Sequence, residues 1–104
     1  MIRVRYTEGH ELNIEGHAGY AICGQDIVCA GVSTIVYALL GWLVDNQDEV
    51  EDLVGPLVED GRLYVSCSGS DKVNTAFEVA MSGIEQIAGQ YPNHVVIEYD
   101  RTSR

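Results

Sequence analysis

The stretch from Asp26 to Val44, DIVCAGVSTIVYALLGWLV, decides what kind of protein this is. From Ile27 onward it runs eighteen residues without a charge, the lower edge of what a membrane-spanning helix needs. Gly31, Ser33, Thr34 and Gly41 interrupt the apolar run. Its flanks are acidic, with Asp26 before it and Asp45, Asp48, Glu49, Glu51 and Asp52 after it. No Lys or Arg adjoins either end to orient it in a bilayer. A core helix buried on most faces, against a sheet and a second subunit, is the better reading. Asp26 is a good N-cap for that helix, which is expected to run to about Val44.

On the N-terminal side, Ile2, Val4 and Tyr6 alternate with Arg3, Arg5 and Thr7, the period of a half-buried strand. Glu8-Gly9 supplies a turn, and Leu12 and Ile14 alternate with Glu11, Asn13 and Glu15 in a second strand, completing a hairpin. Gly16 closes it, His17 follows, and residues 18–25 read as a loop. On the C-terminal side, the acidic run from Asp45 to Asp52 reads as a solvated connection. Leu53–Val58 and Leu63–Cys67 then flank Glu59-Asp60-Gly61-Arg62, a hairpin signal because glycine accepts positive φ freely. Ser70 or Asp71 caps a second helix whose stripe is Val73, Ala76, Phe77, Ala80, Met81, Ile84, Ile87 and Ala88. Gly89 and Pro92 stop it, and Val95, Ile97 and Tyr99 form a last strand. The order ββαββαβ describes an α+β two-layer sandwich, with two helices on one face of a mixed or antiparallel sheet. Residues 1–104 form a single domain in this reading, without linker or repeat.

Composition narrows the partners. With 46% apolar and 21% charged residues the chain is an ordinary globular one. Six Lys plus Arg against sixteen Asp plus Glu give a formal charge of −10. That balance argues against nucleic acid, whose phosphates demand a basic surface, and against an anionic membrane face. A neutral or basic partner suits it. Three cysteines cannot all pair, and no export-type leader is evident, so free thiols in a reducing, cytoplasmic setting are expected.

With Asp26 as N-cap, Cys29 falls at the third helical position, where unpaired backbone N–H groups and the helix dipole favour thiolate over thiol. Asp26 itself is expected to accept from the N–H of Val28 or Cys29. His17 lies twelve residues earlier at a strand end, placed for its imidazole to exchange a proton with the thiol. Glycines at 16, 19 and 24 allow close backbone approach to a substrate. Ser33 lies one turn beyond Cys29 on the same face. The plain alternative is a small buried cysteine with a histidine nearby by coincidence. A metal site built from His17, Cys23, Cys29 and Cys67 is the other, but the spacing matches no common zinc knuckle, so neither metal nor cofactor is expected. Cys67 reads as core, and His10 and His94 as surface residues.

Gly16-His17-Ala18, seven intervening residues, then Asp26-Ile27-Val28-Cys29-Ala30-Gly31-Val32-Ser33 resembles the signature of the ribosomal-processing cysteine protease family (Prp). The resemblance implies a cysteine endopeptidase that removes a short N-terminal extension from a bacterial large-subunit ribosomal protein, L twenty-seven. By the same resemblance Cys29 is the nucleophile and His17 the general base and later proton donor, with Asp26, Ser33, Gly16 and Gly24 in support. It also implies a homodimer, for which the uncharged helix offers an apolar face. The loop from Gly19 to Gly24 carries Tyr20, Ile22 and Cys23 and is more apolar than the charged loops associated with the family, which leaves the exact substrate open. The alternative function is a non-catalytic ribosome-assembly or interaction module that binds a basic protein tail through its acidic face.

Overall fold

The computed structural model describes residues 1–7, 9–22 and 25–100. Its elements are β1 (Ile2–Thr7), β2 (Glu11–Glu15), α1 (Ile27–Asp45), a short 3-10 turn (Gln47–Glu49), β3 (Val50–Glu59), β4 (Arg62–Gly69), α2 (Asp71–Gln90) and β5 (Val95–Asp100). The strands form one sheet in the order β3-β4-β2-β1-β5. Every neighbouring pair is antiparallel except β1 with β5, so the sheet is mixed. The parallel pair arises because the chain crosses over through α2 before β5 joins the β1 edge, as parallel neighbours require.

Alternation assigns the faces. Val4 pairs with Ile14 and Ile14 with Leu63, while Leu12 pairs with Val65, and all five are buried. Their neighbours Arg3, Arg5 and Glu15 stay on the solvated face, where Arg5 reaches Glu98 and Asp100 at 3.3 Å. The helices cover the apolar face. From α1 come Val28, Val32, Val36, Leu39, Leu40 and Leu43; from α2 come Val73, Phe77, Ala80, Met81 and Ile84. Phe77 is fully buried at the centre, and truncating such a side chain to alanine costs about 3–5 kcal/mol. The two helices approach closely at small residues. A Cβ on Gly83 would stand 2.9 Å from Ile35 Cδ1, and one on Gly31 3.1 Å from Ile87 Cδ1.

Two expectations need correcting. The acidic connection is shorter than the charges suggest, because β3 begins at Val50 and carries Glu51 and Asp52 as strand residues. β4 continues to Gly69, so Val50 and Glu51 find partners in Gly69 and Ser68. As an edge strand, β3 holds those charges in water, where they discourage further strand pairing. Second, within one chain α1 is buried along one stripe only, so burial on most faces is not reached by packing on its own sheet and α2. Ile27 and Val44 are exposed on its outward side. The outward face is as uncharged as the inward one, which is why sequence patterning made the helix look wholly buried.

Candidate active site

The end of β2 and the tip of the β3–β4 hairpin meet at one point. Gly16 N–H donates to the Gly61 carbonyl at 2.8 Å. Gly16 has φ +92°, and a Cβ there would run into the Met1 carbonyl oxygen, so only glycine fits. His17 comes next, with its side chain 63% exposed and Nε2 3.7 Å from Asp60 Oδ1. Gly61, at φ +74°, lies against the same ring edge: a Cβ would stand 3.1 Å from His17 Nε2. The hairpin turn is therefore the seat of the imidazole.

Across the cleft, α1 begins at a densely bonded carboxylate. Asp26 is only 9% exposed. Its Oδ1 accepts from the N–H groups of both Val28 and Cys29 at 3.0 Å. Its Oδ2 accepts from Tyr20 at 3.0 Å and Ala21 at 3.3 Å. The Cys29 N–H bond, then those of Ala21, Tyr20 and Val28, hold this carboxyl below its ordinary value against the opposing effect of burial. One side chain thus ends the loop and starts the helix. Cys29 is half-buried on the first turn, and the N–H of the buried Ala18 donates to its Sγ at 3.2 Å.

His17 and Cys29 line a single cleft of about 450 Å³. Val32, Ser33 and Tyr37 share the helix side with Cys29, and Gly16 and Val58 to Leu63 form the hairpin side. Imidazole and thiol face this space without a direct hydrogen bond between them among the described residues. Asp26 sits behind Cys29 rather than in the cleft. Gly24 and Cys23 lie outside the described residues. Cys67 is buried in β4, and burial pushes its thiol up, away from reactivity at neutral pH.

The two remaining histidines are not simple surface residues. His10 is half-buried, stacks on Phe77 with ring centres 4.9 Å apart, and meets Asn74 Oδ1 at 3.1 Å. That places it in the α2 packing, away from the cleft. His94 is half-buried too, and its Nδ1 donates to the Ala18 carbonyl at 2.9 Å. Sequence reasoning missed Asp60, Gly61, Ala18 and His94 as neighbours of the site. The Asp60-Gly61 pair was visible as a turn signal, but nothing local says what a turn faces.

Comparison with known proteins shows the family and the fold. Residues 1–96 match the family model described as cysteine protease Prp. The chain is 34% identical over 97 residues to the ribosomal processing cysteine protease Prp of Mycoplasma genitalium, covering 93% of this chain and 94% of that one. It is 33% identical over 102 residues to the Mycoplasma pneumoniae protein of the same name, covering 97% of each. Among solved structures, the S. aureus ribosomal processing protease Prp with a covalently linked product peptide superposes with a TM-score of 0.85. The two share 20% identity across 96% of this chain and 100% of that one, a likeness of fold. By sequence the chain belongs to the cysteine protease Prp family, and it is a cysteine protease by that membership.

Proposed function

We propose that this protein is an endopeptidase that removes the N-terminal extension of a bacterial large-subunit ribosomal protein, L twenty-seven, with Cys29 as nucleophile and His17 as general base. The observation that carries the reading is their convergence on one open cleft at the start of α1. The relatives are named for ribosomal processing, and another S. aureus structure of the same fold is described as holding a substrate peptide. The acidic balance of the chain suits a basic ribosomal substrate through steering of the encounter.

In this mechanism a ring nitrogen of His17 takes the proton of the Cys29 thiol as Sγ attacks the scissile carbonyl carbon. The carbonyl π pair moves to oxygen, giving a tetrahedral oxyanion. Its collapse breaks the C–N bond, and His17 returns the proton to the leaving amine. Water then attacks the thioester with His17 again as base, releasing the carboxylate and the free thiol. The N–H groups of Val28 and Cys29 are engaged by Asp26, so Ala18 N–H is the donor turned toward the reacting sulfur. Ser33 adds a hydroxyl on the cleft wall, and Gly16 lets β2 end close to the hairpin.

Two copies are proposed to pair through the outward face of α1, where Ile27 and Val44 are exposed, and to work in the cytoplasm, where free thiols persist. The test is incubation with a peptide spanning the ribosomal extension, read by mass. Wild type is expected to cut it at one bond, and Cys29→Ala and His17→Ala are expected to leave it intact while keeping the native circular-dichroism spectrum. Cleavage by Cys29→Ala at the wild-type rate would overturn the reading.

A further inference from the structure

His94 has no part in the chemistry above, yet it is bonded to the residue that touches the sulfur. Its Nδ1 lies 2.9 Å from the Ala18 carbonyl, and the N–H of the same residue lies 3.2 Å from Cys29 Sγ. A carbonyl oxygen only accepts, so His94 carries its proton on Nδ1 in this contact, whether the ring is neutral or charged. We infer that His94 is a positioning residue: it holds the backbone at Ala18 so that the Ala18 N–H stays on the Cys29 sulfur. The inference rests on the reading of Cys29 as the nucleophile.

Three observations carry it. His94 is itself held on both sides by main chain, accepting from Ile2 N–H at 2.8 Å and donating to the Tyr91 carbonyl at 2.9 Å. It is thus fixed to the frame where α2 passes into β5 beside β1. The ring is packed edge-on against Tyr20 at 5.4 Å, and Tyr20 meets Tyr91 in the same manner at 5.4 Å. The peptide that carries the Ala18 N–H is held on one side by the Met1 ammonium, which donates to the His17 carbonyl, and His94 holds the following carbonyl on the loop side. Gly19 follows Ala18 at φ +68°, a conformation that gives the chain freedom to turn, and Asp26 grips the loop only from Tyr20 onward. Among the described residues, His94 is the polar group that holds the Ala18 carbonyl. Finally, the first-turn donors of Val28 and Cys29 are spent on Asp26, which leaves the Ala18 N–H as the donor on the sulfur among the described residues.

The test compares His94→Ala with His94→Asn, whose side-chain amide nitrogen places a donor near the position of Nδ1. Three quantities are read: kcat and KM on the extension peptide, the iodoacetamide alkylation rate of Cys29 without substrate, and NMR hydrogen exchange at the Ala18 amide. His94→Ala is expected to lower kcat about ten- to a hundredfold with KM little changed, somewhat less than outright loss of one oxyanion-hole donor. It is also expected to slow alkylation and to speed exchange at Ala18, and His94→Asn is expected to restore all three. A folded His94→Ala protein with wild-type kcat, alkylation and exchange overturns the inference. If His94→Ala fails to fold, His94→Asn decides: wild-type behaviour supports the role of the donor, and slow catalysis in a folded His94→Asn overturns it. If Cys29→Ala still cuts the peptide, the proposed function fails, and exchange at Ala18 still tests the anchoring by itself.

Discussion

The two sides of the cleft are built on opposite plans. On the α1 side, the nucleophile stands on a helix turn whose N-cap carboxylate is 9% exposed and binds four backbone N–H groups. On the hairpin side, His17 is 63% exposed and its carboxylate neighbour Asp60 is 99% exposed, at 3.7 Å. The sulfur is fixed, whereas the imidazole rests lightly on a glycine turn at an exposed strand edge. That asymmetry fits the proposed chemistry. A nucleophile acts at one place, while the base must serve first the thiol, then the leaving amine, then water.

Changes on the fixed side should therefore cost most. Cys29→Ala is expected to lower cleavage by at least about a thousandfold, since the residual rate has no covalent route. Asp26→Ala removes the cap and releases the loop together. It is expected to lower kcat by about a hundredfold and the melting temperature by roughly 4–8 °C, read by peptide kinetics and thermal denaturation. Gly61→Ala belongs to the hairpin side but strikes the seat of the imidazole, because φ is +74° and the new Cβ would lie 3.1 Å from Nε2. A roughly tenfold fall in kcat/KM is expected, with less loss of stability than for Asp26→Ala. Asp60→Asn should be mildest, about two- to fivefold and fading as salt rises, as for any exposed pair. Asp60→Asn exceeding Asp26→Ala would break the comparison.

Stability should show the same contrast along the pH axis. The Asp26 carboxyl is lowered in the fold, so its contribution is present above the ordinary value of 3.8 and lost as pH falls through the native one. Acid unfolding of wild type below about pH 4 should thus be blunted in Asp26→Asn, which has nothing to protonate. At the alkaline end the shifts run the other way. The Cys67 thiol is raised by burial, Tyr64 by its bond to Glu11, and Tyr99 up to about 12 by burial and Glu85. Each contribution is full below the unfolded value and lost as pH rises past it, so urea midpoints should decline above about pH 9.

Much of this was legible in the chain. Periods of two and of 3.6 located β1, β2, β4, β5 and both helices, and Asp26 placed Cys29 in the first turn. The strand start at Val50 was hidden because Glu51 and Asp52 look like loop residues, and only pairing with β4 makes them strand. The outward face of α1 was hidden because hydropathy reports apolarity, not what covers it. His94 and Ala18 are 76 residues apart, and β5 joins β1 only in the folded sheet. No local signal joins such a pair.

The proposed chemistry can be caught in the act. Wild-type protein mixed with the extension peptide, quenched in acid within seconds and digested, should carry the N-terminal half of the peptide on the fragment containing Cys29. An acyl group at that residue, lost on longer incubation and missing from Cys29→Ala, is the expected result. Peptide cleavage with no acyl group on Cys29, or with the adduct on Cys23 or Cys67 instead, would contradict it.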